Sequence, residues 1–288
     1  MYRFTNSFSA RLAGASFLLL LAAMPANALG QATAPRPTPA PAEGPRNPEN
    51  EWLAKTAKVY FSSAKAGLTG FDCDVHPDWR ALFVSASKGK EVTANDANLA
   101  LLKNVKVKMH AHMGGGSTIE WVEISADGQQ TSDDANATID RLHQSVQQIL
   151  EGFMQFWSPF MEVTVVPQKA DGLEITHSAT SHTIYTKQGA TELTEIFNKD
   201  LVLEHFNLML GGTSIKLTPT FEPTPQGMLV RSFATEIQPA GATSQQTQKM
   251  QVHIDYQTVN SQTIPIQLNM DISGTGSFNF AFDGCSTN

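Results

Sequence analysis

His110 and His112 stand one residue apart in a stretch that also holds Lys106 and Lys108. On a β-strand, residues two apart share a face, so this His-x-His pair can offer two imidazoles to one metal ion. Two side chains leave such a site incomplete; His177, His182 or an acidic residue would have to supply a third ligand. On a lysine-bearing face, histidines of this spacing are more often simply solvated. Asp72, Asp74 and His76 share a strand face in the same way, where a bound cation or plain water would account for them. Ser62-x-x-Lys65 matches the bare Ser-x-x-Lys of penicillin-recognising enzymes, but the accompanying motifs are absent and chance explains the match. The chain has no Gly-x-Ser-x-Gly, no His-Glu-x-x-His, no Walker A loop and no Gly-x-Gly-x-x-Gly followed by a helix. Because triads are assembled in space, missing motifs lower the odds of an enzyme without excluding one. No catalytic residue and no cofactor is therefore assigned, and His110 and His112 remain the metal candidates.

A second kind of chemistry is apolar. Ile139, Leu142, Val146, Ile149, Phe153, Phe156 and Phe160 recur at spacings of three and four, one stripe of a long helix over Asp133–Met161. In the second half of that helix Leu150, Met154, Trp157 and Met161 widen the stripe until most of the circumference is apolar. Met, Phe and Trp together suit an adaptable apolar pocket. The residues expected to line it are Phe153, Phe156, Trp157 and Phe160 on the helix, with Met109 and Trp121 facing them from strands. The competing reading is ordinary core between a sheet and an N-terminal helix.

The elements that must position these residues can be read in order. Asn50 is a plausible N-cap, and Leu53, Ala57, Tyr60, Phe61, Ala64 and Leu68 recur at helical spacing up to Gly67 and Gly70. Phe71 to His76 alternates as a strand, and Pro77 stops it. Asp78 caps a short helix bearing Trp79, Leu82 and Phe83, and a second short helix covers Ala97–Lys103. Val105–Met113 and Ser117–Ser125 form a hairpin around Gly114-Gly115-Gly116. Pro159 should end the long helix near Trp157 or Ser158. Strands then follow over Glu162–Val166, Leu173–His177, Thr183–Lys187, Thr191–Phe197, Leu201–Leu210, Ser214–Phe221, Met228–Ile237, Lys249–Val259, Thr263–Ser273 and Ser277–Phe282. Short turns rich in Gly, Asn, Asp and Pro separate them, so neighbours should pair antiparallel as a meander. Pro265 inside its strand implies an edge or a bulge.

The 288 residues carry a formal charge of −7. Arg3 and Arg11, the apolar run Ala13–Ala23 and the small-x-small site Ala26-Asn27-Ala28 read as a secretory signal peptide over residues 1–28, cleaved after Ala28. The run is too short for a membrane span, and no other segment is long and apolar enough to be one. Loss of Arg3 and Arg11 leaves 18 basic residues against 27 acidic, a balance of −9, which excludes the basic footprint of a nucleic-acid binder. Residues 29–49 hold six prolines and read as a disordered tail ahead of a single domain over 50–288. Cys73 and Cys285 are the two cysteines of an exported chain, which predicts one disulfide; two buried thiols is the other reading.

An N-terminal helix, a hairpin, a long helix and a meander with an Asn-x-x-x-Pro step at Asn260–Ile266 resembles, in layout, the LolA/LppX-like superfamily of bacterial periplasmic lipoprotein and lipid carriers over roughly Asn50–Phe282. The resemblance implies an incomplete antiparallel barrel closed by helices on its apolar side, and an acyl chain or similar ligand held there. The expected fold is α+β: a strongly curved antiparallel sheet, an open barrel, packed against one long amphipathic helix and a shorter N-terminal helix. The expected function is non-catalytic binding of a lipid, lipoprotein acyl chain or similar apolar ligand in the periplasm or outside the cell, with an envelope protein as a further partner. Two alternatives stand beside it. One is an envelope scaffold or interaction protein with a filled core; the other is a metal-dependent hydrolase in which His110, His112 and an acid converge.

Overall fold

The structure is a computed structural model that describes residues 47–86, 99, 102, 105–114, 116–123, 133–243 and 246–288. The expected signal peptide and nearly all of the proline-rich tail lie outside the described residues, as does most of the expected helix Ala97–Lys103, of which Leu99 and Leu102 are described as helical. Among the described residues there are three longer helices, α1 (Pro48–Ala57), α2 (Trp79–Ala86) and α3 (Asp133–Glu162). Twelve strands accompany them: β1 (Gly70–Pro77), β2 (Val105–His112), β3 (Gly116–Glu123), β4 (Glu174–His177), β5 (Ser181–Gln188), β6 (Thr191–Asn198), β7 (Leu203–Leu210), β8 (Thr213–Thr224), β9 (Gly227–Gln238), β10 (Gln248–Val259), β11 (Gln262–Ile272) and β12 (Gly276–Thr287). They are hydrogen-bonded in the order β3-β2-β1-β12-β11-β10-β9-β8-β7-β6-β5-β4. The expected α+β class and antiparallel meander are thus present, with β3 and β4 as the end strands of a sheet that is not closed.

The chain divides into two compact units. The first comprises Gly67–Ser158 and Val252–Asn288, the second Pro159–Gln251 with the described residues up to Ala66. In the first unit β1 sits between β2 and β12, so the earliest of the described strands pairs with the last of them. Phe71, Cys73 and Val75 are buried on one face of β1 while Asp72, Asp74 and His76 face outward, the alternation that the sequence shows. Cys73 Sγ lies at disulfide distance, 2.09 Å, from Cys285 Sγ across 212 residues of sequence. Asp78 Oδ1 accepts from the Ala81 N–H and caps α2 as expected. Pro265 is neither on an end strand nor inside the Gln267–Ile272 stretch of β11 that pairs with β12, so its missing N–H removes no bond from that ladder.

In the second unit, β4 to β9 run as successive antiparallel hairpins. Three expectations fail here for local reasons. First, α1 begins at Pro48 with Asn47 as its cap, Oδ1 accepting from the Glu49 N–H, and ends at Ala57 instead of running to Leu68. Tyr60 and Phe61 leave the helix because they bridge to β9: the Phe61 N–H donates to Met228 O and the Met228 N–H to Val59 O. Asn50, not the cap, accepts from the Ala170 N–H instead. Second, α3 runs through Pro159 to Glu162. Proline in a last turn costs one intrahelical bond, and its fixed φ is compatible with helix. Third, the expected strand Glu162–Val166 is absent. Val163 adopts φ 59°, its N–H donating to Phe160 O and that of Thr164 to Pro159 O, which is a Schellman-type close with valine where glycine is usual.

Candidate functional site

The six residues expected to line an apolar pocket fall in different environments. In the first unit, Trp157 is fully buried; Phe71 meets it edge-on at 5.9 Å, Phe153 stacks at 5.8 Å and its indole N–H donates to Tyr256 Oη. Met109 is fully buried, opposite Cys73 and Ile119 in the ladder. Trp121 is half-buried and stacks on His143 at 4.0 Å, with Trp79 at 6.4 Å. Phe156 is half-buried. Phe160 belongs to the second unit, where it is buried against Phe221 at 5.8 Å. The structure therefore gathers Phe153 and Trp157 and gives both of them protein partners.

His110 and His112 share a face of β2, His110 half-buried and His112 exposed. His110 Nδ1 lies 2.7 Å from Asp72 Oδ1 on the neighbouring strand, and its Nε2 lies 3.3 Å from Glu120 Oε2 on the other side. Both carboxylates favour the imidazolium, and they raise the His110 pKa above its ordinary value, Asp72 most. Asp72 is thus a partner for a neighbouring histidine, and His76 similarly meets Asp283 Oδ1 at 3.0 Å. Among the described residues no group of three or more His, Cys, Asp or Glu side chains is arranged to hold a metal ion.

The second unit holds an interior that the sequence reading did not single out. Ile184, Glu195, Phe206, Leu217 and Thr235 are register partners on β5, β6, β7, β8 and β9, so they form one row across five strands. Ile184, Glu195, Leu217 and Thr235 are buried. Glu195 Oε2 and Thr235 Oγ1 have no hydrogen-bond partner among the described residues. Burial pushes the Glu195 carboxyl up to about 8, which keeps it neutral at pH 7. The Tyr60 hydroxyl donates to Leu201 O at 3.0 Å and accepts from the Leu203 N–H at 2.6 Å. Burial raises the Tyr60 pKa, and the nearby Glu195 acts in the same direction. The signal in the sequence was the alternation Leu193, Glu195, Phe197 within β6, a carboxyl between two apolar residues on one face.

Two further polar features belong to the same unit. His177 and His182 are opposed on the β4–β5 hairpin beneath Trp52 of α1. His205, Asn207, Lys216, Thr218, Ala234 and Glu236 line an open cleft of about 450 Å³ on β7–β9. Glu236 pairs there with Lys249 at 3.0 Å, which lowers its pKa. Among the described residues no helix is long and apolar enough to cross a membrane. Comparison of the chain with models of protein families, with curated proteins and with solved structures finds no match in any of the three.

Proposed function

We propose that the chain is an exported, non-catalytic binding protein for an apolar ligand such as a lipid or a lipoprotein acyl chain, working in the periplasm or outside the cell. In this reading the antiparallel sheet curves as an open barrel, in the manner of the LolA/LppX-like carriers. The observation that carries the reading is the Ile184–Thr235 row. It is an apolar interior in which Glu195 and Thr235 keep unpartnered polar atoms, and buried polar groups in finished cores are nearly always paired. At roughly 4.8 Å per strand, the two lie about 14 Å apart, a span that an amphiphile with a polar group and an apolar body can cover. Its affinity would come from burying apolar surface at about 25 cal/mol per Å². Phe156 and Trp121, half-buried, are the two of the six expected lining residues with surface left to offer. Export is supported by the leader-like N-terminus and by the Cys73–Cys285 pair.

An envelope scaffold with a filled core is the second reading, and the closed packing of Trp157 favours it. Native mass spectrometry of the mature protein, with lipid extraction before and after loading, separates the two. A co-purifying or loadable apolar ligand is expected; a protein that carries none and accepts none is the scaffold.

A further inference from the structure

The β4–β5 hairpin sets His177 directly opposite His182. The turn between them is closed by Ser178, whose N–H donates to Ser181 O and whose hydroxyl accepts from the N–H groups of Thr180 and Ser181. The two imidazoles face each other with Nδ1 atoms 2.8 Å apart. His177 Nε2 lies 3.0 Å from Glu49 Oε2 in the first turn of α1. Trp52, further along α1, stands over both rings at 5.1 and 5.3 Å.

We propose that this constellation is a binding site for a divalent transition-metal ion of the zinc, nickel and copper class. The ligands are Nδ1 of His177 and Nδ1 of His182, with water in the remaining positions. At tetrahedral geometry, a metal–nitrogen bond of about 2.0–2.1 Å puts two nitrogens of one coordination sphere roughly 3.3 Å apart, so the pair needs to open by about half an ångström. Imidazole is the ligand type that this class of ion prefers.

The surroundings fit in one further respect. The Glu49 carboxylate accepts from His177 Nε2–H, which fixes the tautomer that leaves the Nδ1 lone pair facing His182. A carboxylate behind a histidine in this manner is the usual support of a metal-bound imidazole. Without metal, one proton lies between the facing Nδ1 atoms. On binding, His182 carries its proton on Nε2 instead, exchanged through solvent, and the ion takes the vacated position. The Glu49 charge favours the ion and the Lys55 charge opposes it. With two protein ligands the site is open, unlike a closed structural zinc centre. It does not depend on the apolar-ligand reading.

Titration calorimetry of ZnCl2 into metal-stripped mature protein at neutral pH tests the site. One equivalent is expected to bind. His177→Gln and His182→Gln, which keep a hydrogen-bonding side chain on an exposed hairpin, should each weaken binding at least tenfold. Glu49→Gln should weaken it by about tenfold, the scale of a lost outer partner, and His110→Gln should leave it unchanged. As a check needing no ligand variant, Cu(II) bound to the wild type should show electron-spin coupling to two nitrogens, and its quenching of fluorescence should fall in Trp52→Phe. Absence of binding, binding unchanged in either His177 or His182 variant, loss in His110→Gln, or coupling to fewer than two nitrogens overturns the assignment.

Discussion

Glu195 is the residue whose chemistry departs furthest from its solvated state. Its carboxyl titrates near 8 in the folded chain against 4.5 for the free group, because burial disfavours the charge. The protonated form is therefore the one that folding favours. Stability from this group is complete below pH 4.5 and is lost as pH rises through 8, by roughly 1.4 kcal/mol per unit over that window. Denaturant melts at pH 5 and pH 8 should show that loss in the wild type, and Glu195→Gln, which cannot ionise, should remove most of the slope. A Glu195 whose replacement leaves the slope untouched would place the charge in solvent. His110 has the same sign with a different cause. Its pKa is raised by Asp72 and Glu120, so the stabilising pair exists below the raised value and disappears as pH climbs through it. Proton NMR titration of Asp72→Asn should bring the His110 pKa down toward 6.5. Much of this was hidden in the sequence. The i, i+2 spacing of Asp72, Asp74 and His76 put them on one face, but only strand order sets Asp72 beside His110. A lone glutamate in a strand reads as surface until its register partners prove apolar.

At the scale of elements, tight approach decides more than propensity. Segment 58–63 leaves α1 and meets the start of β9 through the Tyr60–Met228 bridge. Gly227 adopts φ 126°, and a Cβ there would sit 2.6 Å from the Phe61 nitrogen and the Tyr60 carbonyl carbon. Backbone cannot yield as a flexible side chain can, so Gly227→Ala combines strain with a clash and should cost on the order of 2–3 kcal/mol, read as a shifted urea midpoint. Strands were the most legible elements because Asp171-Gly172, Gly211-Gly212 and Gly274-Thr275-Gly276 separate short alternating runs. The errors cluster where tertiary contact overrides local pattern. Helical spacing through Leu68 was real, but Tyr60 and Phe61 gain more from β9 than from another helical turn. Pro159 was read as a stop, yet the chain ends its helix at Val163 with the left-handed residue that glycine usually provides.

For the whole molecule, the cross-link matters most. Cys73 and Cys285 close a loop of 212 residues, and the chain-entropy model values such a loop at up to about 5 kcal/mol. Reduction under native conditions should lower the unfolding free energy by several kcal/mol. Alkylation of denatured, unreduced protein should add no mass, whereas two added labels would show free thiols. The even cysteine count and the leader-like N-terminus made this pairing legible, and with it the approach of the C-terminal strand to the first one, while the register of β1 on β12 depends on strand order and was not legible.

That placement of β1 orders events in time. Hairpins such as β5–β6 and β8–β9 join neighbours along the chain and can form as soon as they exist. The partner of β1 on one side is β12, the last of the described strands, so this pairing of the first unit must wait until residues 276–287 have been made. Pairings of such long sequence separation are slow to form and expose apolar edges meanwhile. The Cys73–Cys285 bond, which needs an external two-electron oxidant to take the electrons of both thiols, can therefore close only after β12 has been made, late in the order of folding.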